Sequence, residues 1–519
     1  MPSAIESCIF TRHFMGNPPM RTTTLLPLAA AMALALSACA DKPKAAPDPA
    51  AAQGRAFGQL VFQPCSLSSP MAREGIEAQC TTMQVPENPA EPNGRKIGLK
   101  IAWLPPENEA DNLLDPVFML AGGPGQSAIQ TYPAMDPVFK EVRKHRHVIL
   151  VDQRGTGGSN LLSCKFDDET ADDVSPEAAG KLAADCAAEL SKKADLRFYT
   201  TTDAVRDLDA VRQALGVEQI NLMGVSYGTR VAQQYTLRHP QHTRTVLLDS
   251  VVPNTLPLGN IFARNLDDAL TLQFSQCTKD PSCRDKLGDP RQQLDALLTR
   301  LRSDPPLVKY HDASTYELKE ARLTADMVAG LVRMYAYMPA AASLLPNLIH
   351  EASQGRYEDL MALSQMLTTQ IQDSMATGMQ FSVVCTEDRG SFTPSDEDKD
   401  TVLGQAMASS MGAMCAVWPT GKVPADFRTP LTGNTPVLAI SGEFDPVTPP
   451  RYGDEAIAKL SNARHLVLKG QGHSVLGVGC MPKLFAQFVE KADPKALDAT
   501  CLDTLDAVPP FTSFNGWNP

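Results

Sequence analysis

Gln219-Ile220-Asn221-Leu222-Met223-Gly224-Val225-Ser226-Tyr227-Gly228-Thr229-Arg230-Val231-Ala232 is the stretch that decides the fold. Its first five residues form an apolar run of strand type, and from Thr229 onward it reads as the start of a helix. Between them stands Gly-x-Ser-x-Gly, the pattern of a strand–turn–helix elbow that carries an exposed serine. The turn is so tight that only glycine, or a residue nearly as small, tolerates the backbone approaches on either side of Ser226. The helix N-terminus beyond it favours negative charge near the hydroxyl. Ser226 is therefore the candidate nucleophile, the alternative being a plain βα turn.

Strand-type runs lie upstream at residues 81–85, 97–104, 117–120 and 148–151. Ahead of the elbow, Val205, Leu208, Val211 and Leu215 mark one face of a helix, with Thr202 or Asp203 able to cap it and Gly216 ending it. Behind the elbow, 244–249 reads as another strand. This alternation predicts an α/β fold: a mostly parallel central sheet with helices on both faces. The alternation then stops. Helical patterns fill 263–277, 291–301, 324–335, 340–352, 357–372 and 398–411, and strands return at 436–440 and 464–468, followed by a helix over 483–491. The expected organisation is a signal with lipobox at 1–39, a tether at 40–55, a core at 56–254, an inserted helical cap at 255–430, and the rest of the core at 431–519. A cap in that position would lie over the strand C-termini, where such sheets place their sites.

The 519 residues carry a net charge of -12 and no basic block, which argues against nucleic acid as a partner. Met20-Arg21 and the apolar run 25–36 read as an export signal. Leu36-Ser37-Ala38-Cys39 is similar to a bacterial lipobox, with Cys39 as the lipid-bearing residue; an ordinary secretory signal cut near Ala38 is the alternative. Ala40, rather than Asp, behind Cys39 resembles lipoproteins passed on to the outer membrane. The expected location is the bacterial cell envelope, as an outer-membrane lipoprotein or in the periplasm, with the membrane reached by the lipid anchor only and no other segment long and apolar enough to span. Ten cysteines beyond Cys8 and Cys39 suit an oxidising compartment. Because short loops close easily, neighbour pairing is expected: 65–80, 164–186, 277–283, 385–415 and 480–501. No Cys or His spacing suggests a metal site, and no cofactor is expected.

A serine needs a base, and the base needs an orienting acid. Both are offered after later strands, in the order Ser, acid, His. Gly442-Glu443-Phe444-Asp445-Pro446-Val447-Thr448-Pro449 supplies Asp445 as the acid, with Glu443 as its rival. Gly470-Gln471-Gly472-His473 supplies His473 as the base. Ala121-Gly122-Gly123-Pro124-Gly125, after the strand at 117–120, can turn backbone N–H groups toward a developing oxyanion, and the N–H of Tyr227 would be a second donor. The loop lacks the Lys-Ser/Thr of a phosphate-binding loop.

Gly122-Gly123-Pro124-Gly125, Asp152-Gln153-Arg154-Gly155-Thr156-Gly157, the elbow and the Asp445 segment together resemble the prolyl/tripeptidyl aminopeptidase branch of the α/β-hydrolases, over about Cys65 to Cys501. Ala121 stands where prolyl aminopeptidases carry His, which fits the tripeptidyl branch better. The resemblance implies a serine peptidase acting on peptides with a free N-terminus through an acyl-enzyme. It makes Gly123 and Tyr227 the oxyanion donors and Arg154 a structural loop residue. Such an enzyme needs a negative group for the substrate ammonium, and the cap offers Glu387 first and Asp388 second, in a turn held firmly if Cys385 pairs with Cys415. A carboxylesterase with the same triad, and a binding module that has kept the fold, are the other readings. Oligomeric state is left open.

Overall fold

The computed structural model describes residues 54–69, 75–108, 113–164, 175–259, 261–312 and 315–516, without the side chains of 368–374. The expected signal, lipid-bearing Cys39 and nearly all of the tether lie outside the described residues. Twelve strands are described: β1 (Arg55–Phe57), β2 (Leu60–Leu67), β3 (Ile76–Pro86), β4 (Lys96–Leu104), β5 (Leu113–Leu120), β6 (Arg146–Val151), β7 (Ile220–Val225), β8 (Thr243–Asp249), β9 (Leu307–His311), β10 (Leu318–Arg322), β11 (Val437–Gly442) and β12 (Ala463–Leu468). Ten of these form one sheet in the order β1-β2-β3-β4-β6-β5-β7-β8-β11-β12. The first strands pair antiparallel as far as β6; from β6 through β12 every pairing is parallel.

The central strands read as continuous apolar runs because both of their faces are buried. Phe118, Ile149, Leu222, Val246, Leu248 and Val437 point into one core. Their strand neighbours Val117, Leu150, Met223, Leu247 and Leu438 point into the other. Helices Ala128–Arg143 and Met481–Lys491 close the second face through Phe139, Phe485 and Phe488. Helices Thr201–Leu215 and Tyr227–Arg238 close the first. The pairing of β11 with β8, Val437 opposite Val246, brings the chain after 431 back beside the chain before 254 in a single sheet.

The inserted segment packs as two parts. Helices Phe262–Lys279, Pro290–Ser303, Ala325–Ala336 and Leu345–Ser353, with the β9–β10 hairpin, enclose a core of their own. Helix Thr377–Glu387 does not join it. Its Met379, Phe381, Val383 and Val384 fill the core on the first face of the main sheet, together with Cys415 and Trp418.

Several sequence expectations change in detail. Helix Thr201–Leu215 is capped by Thr200, one of whose partners is Asp203 in a capping box, so neither Thr202 nor Asp203 is the cap residue. The helix expected over 340–352 is two, Pro339–Ala342 and Leu345–Ser353. Pro346 lacks an N–H and its ring would strike the carbonyl of Ala342, so the first helix stops there. The helix expected over 398–411 runs over Ala406–Val417, after a left-handed Gly404. Strands β1 and β2 and the β9–β10 hairpin had no clear apolar signature; β10 is exposed along nearly its whole length.

All five neighbour pairs of cysteines are joined: Cys65–Cys80, Cys164–Cys186, Cys277–Cys283, Cys385–Cys415 and Cys480–Cys501. The Cys385–Cys415 bridge closes a separation of 30 residues and Cys277–Cys283 one of 6. Loop-closure entropy then predicts that C385S/C415S loses about 3–4 kcal/mol and C277S/C283S about 2 kcal/mol. Urea unfolding of the two double variants checks this, and the reverse order would contradict it.

Candidate active site

The elbow sits at the C-terminal end of β7. Ser226 has φ 54° and ψ -123°, a conformation that a side-chain-bearing residue adopts only when its surroundings impose it. They do so through three hydrogen bonds: Ser226 N–H to the Asp249 carbonyl at 2.9 Å, and the N–H and hydroxyl of Thr229 to the Ser226 carbonyl at 2.9 and 2.6 Å. A methyl group on Gly228 would lie 2.2 Å from the Leu120 carbonyl oxygen, so the first turn of the helix crosses the end of β5 only because that residue is glycine. The Ser226 side chain caps nothing in its own helix.

The end of β5 leads into Gly122–Gly125. A side chain at Gly122 would stand 3.2 Å from Cβ of Ser226, which places this loop directly against the serine. Gly123 has φ +104°. Asp152, after β6, holds the loop's exit: it accepts from the Ser127 hydroxyl at 2.5 Å and from Ile129 N–H at 3.1 Å. Tyr227 is the first residue of its helix, so its N–H has no carbonyl to meet within the helix.

His473 lies after β12. Its Nδ1 is 2.8 and 3.0 Å from the two carboxylate oxygens of Asp445. Asp445 is fully buried and also accepts from the N–H groups of Val447 and Thr448, at 2.9 and 2.8 Å, and from the Thr448 hydroxyl at 2.8 Å. Burial opposes the charge on Asp445. His473 beside it and the Thr448 and Val447 N–H groups outweigh that and hold the carboxyl below its ordinary range. On His473 burial works against protonation, but the charge and hydrogen bond of Asp445, with a contribution from Asp249, raise its pKa above the usual value. The rival acid Glu443 turns elsewhere and accepts from Gly470 N–H at 2.8 Å. Asp445 is thus the carboxylate paired with His473.

Four partners of this arrangement have no signature in the sequence. Asp249, at the end of β8, holds the serine turn by its carbonyl and the histidine loop by its carboxylate, which accepts from the N–H groups of Val475 and Leu476 at 2.9 and 3.0 Å. Its neighbour Ser250 accepts from Ser474 N–H at 2.8 Å. Burial pushes Asp249 up to about 6 despite these donors. Thr448 fixes the second oxygen of Asp445. Tyr337, from the inserted segment, accepts His473 N–H at 2.8 Å and sets its ring edge-on to the imidazole, 5.0 Å between centroids. A methyl group on Gly472 would be 2.2 Å from that Tyr337 carbonyl, so this glycine permits the close approach of the inserted segment to the His473 loop.

The two carboxylates expected to receive a substrate ammonium are placed differently. Asp388 has no exposed side-chain surface and is engaged by Arg230 at 3.0 Å, Arg428 at 2.5 Å and Leu258 N–H at 3.0 Å. Both oxygens of Glu387 accept from Thr201, from its N–H at 2.7 Å and its hydroxyl at 3.0 Å, and its side chain is 1% exposed. Neither presents a free carboxylate, which corrects the expectation for both. Arg154 is structural as expected, with two 2.7 Å bonds to Asp207 and others to the carbonyls of Glu87 and Phe198.

A serine on a strained elbow, a histidine held by a buried aspartate and carried on a loop tied to the same Asp249 as the elbow, and glycine-rich backbone against the serine can carry out acyl transfer. Known proteins agree at that level. The serine protease Hip1 of Mycobacterium tuberculosis is 24% identical over 467 residues, covering 82% of this chain and 87% of that protein. The tripeptidyl aminopeptidase of Streptomyces lividans is 24% identical over 470 residues, covering 82% and 83%. Carboxylesterase B of Mycobacterium tuberculosis is 26% identical over 437 residues, covering 77% and 81%. The family model described as the alpha/beta hydrolase fold matches residues 115–479, from the end of the antiparallel strands to beyond His473, and the chain belongs to that family.

Proposed function

We propose that this chain is a serine peptidase that hydrolyses peptides from a free N-terminus through an acyl-enzyme. The observation that carries the hydrolytic part is the Asp445–His473 pair, whose histidine loop Asp249 ties to the elbow of Ser226. His473 takes the Ser226 proton through Nε2 as the hydroxyl attacks the scissile carbonyl; Nδ1 stays hydrogen-bonded to Asp445. The N–H groups of Gly123 and Tyr227 receive the oxyanion. His473 then protonates the leaving group, and water enters by the same path in reverse. No cofactor takes part in these steps. The relatives named as a serine protease and a tripeptidyl aminopeptidase support the peptide substrate.

Carboxylester hydrolysis is the second reading. It is favoured by the engagement of Glu387 and Asp388 within the protein, which leaves the ammonium without the carboxylate expected for it, and by the relative named as a carboxylesterase. Peptide anilides with free and with acetylated N-termini, tested beside a simple aryl ester, separate the two. Cleavage confined to the free-amine peptides supports the aminopeptidase; equal rates on free and blocked peptides refute it; cleavage of the ester alone establishes the second reading.

The N-terminal segment adds a location. We infer an exported protein anchored in the cell envelope through Cys39. Wild type is expected to incorporate labelled palmitate and Cys39→Ser to incorporate none. Equal labelling of the two would contradict the anchor.

A further inference from the structure

Helix Thr377–Glu387 touches the surroundings of Ser226 at both of its ends. At the N-terminal end, Ala376 N–H donates to the Gly125 carbonyl at 3.0 Å, which ties the helix to the glycine-rich loop after β5. Thr377 accepts from Cys164 N–H at 2.9 Å, and Met379 N–H donates to Leu162 at 3.1 Å. At the C-terminal end, Glu387 accepts from the Thr201 hydroxyl, and the Thr201 oxygen lies 2.6 Å from the phenol oxygen of Tyr227. Gln153 Nε2 donates to that same phenol oxygen at 3.1 Å. Asp388 grips Arg230, one turn further along the helix that Tyr227 begins. Cys385 is bridged to Cys415, so the strut cannot slide past its neighbours.

Burial pushes Glu387 up to about 7 against the opposing charge of Arg230. With Glu387 ionised, the proton count fixes the direction of this chain: the Thr201 hydroxyl has one proton, and it goes to Glu387. Gln153 can only donate from Nε2. The Tyr227 proton therefore points at Thr201, and the phenol both donates and accepts. Burial, and then the charge of Glu387, push the Tyr227 pKa far up, so the phenol keeps the proton this chain requires. All of these groups except the half-buried Gln153 are buried, where a hydrogen bond left unmade is costly.

We propose that Glu387 is a positioning residue: acting through Thr201 on the phenol of Tyr227, it holds the backbone N–H next to Ser226 in register with the glycine-rich loop secured by the other end of the same helix. The eleven residues of that helix form a strut of about 16 Å that ties the two sources of oxyanion donors to one rigid element. This rests on the hydrolase reading of Ser226. It assigns Glu387 a role within the protein rather than at the substrate.

The test compares Glu387→Gln, Thr201→Val, Tyr227→Phe and Ser226→Ala on an aryl ester, with phenylboronic acid as a mimic of the tetrahedral adduct. A burst measurement counts functional sites. The expected result for Thr201→Val and Tyr227→Phe is a full complement of functional sites, an unchanged KM, a kcat lower by about ten- to a hundredfold, and a boronate affinity weakened in parallel. Combining Thr201→Val with Tyr227→Phe should cost little more than either alone, since both cut the same chain. Glu387→Gln should fall between these variants and wild type. Loss of functional sites with unchanged kcat per site would overturn the proposal, as would wild-type kcat or wild-type boronate affinity in Thr201→Val and Tyr227→Phe. Turnover within tenfold of wild type in Ser226→Ala overturns the hydrolase reading itself; a Ser226→Ala reduced by orders of magnitude with undiminished Thr201→Val overturns the positioning role alone.

Discussion

Ser226→Ala is expected to reduce turnover of peptide anilides and aryl esters by about 10⁴-fold or more, with KM and fold unchanged. The size of the effect follows from what the hydroxyl supplies. With it gone no acyl-enzyme forms, and the remaining machinery can only polarise a carbonyl for direct attack by water. Structure should survive because the elbow is held by backbone groups and by Thr229, not by the serine side chain, which makes no cap bond. Alanine at a φ of 54° is strained to the degree serine already is, so melting should shift little. Steady-state kinetics and a thermal melt on one preparation check both halves. Turnover within tenfold of wild type would show that another group carries the reaction.

Asp445→Asn is expected to cost about 10⁴-fold in kcat for a different reason. The carbonyl oxygen of the amide takes over the N–H groups of Val447 and Thr448, which both bind the same carboxylate oxygen. Its NH₂ then faces His473 Nδ1, so the imidazole carries its proton on Nε2, toward Ser226, and cannot accept the serine's. The pH profile should change as well. His473 must be neutral to act as base, so kcat/KM falls as pH drops through its pKa. In wild type that pKa is raised, and the acid limb is expected above the ordinary histidine range. The variant loses the charge and the hydrogen bond that raise it, while burial remains. The acid limb of the residual activity should therefore move to lower pH. A limb at the same pH in both proteins would mean that the titrating group is not His473.

Much of this was legible in the chain because its signals are local. The strand, the small residues of the turn and the helix start stand side by side at 219–232, and the loops of Asp445 and His473 each follow directly on a strand. The neighbouring cysteines paired for the same reason. What sequence hid depends on partners far along the chain. Glu387 and Asp388 read as an open acidic turn because their charge is visible and their partners are not: Arg230 lies 158 residues from Asp388 and Thr201 186 from Glu387. Asp249 looked like a strand end, though its carboxylate holds a loop more than 220 residues away. The choice between Asp445 and Glu443 likewise waited on which one His473 faces. The inserted segment read as one helical block because helical periodicity marks a buried face without saying which core receives it. That is why the separate allegiance of Thr377–Glu387 to the main sheet emerged only from packing.

The central claim is that Ser226, served by His473 and Asp445, is the nucleophile of an acyl-transfer site. Treatment with a fluorophosphonate, followed by intact mass and peptide mapping, tests it without any assumption about the natural substrate. One adduct per chain is expected, on Ser226, with labelling absent in Ser226→Ala and slowed by orders of magnitude in His473→Ala. An adduct on another serine, or undiminished labelling of Ser226→Ala, would contradict the account.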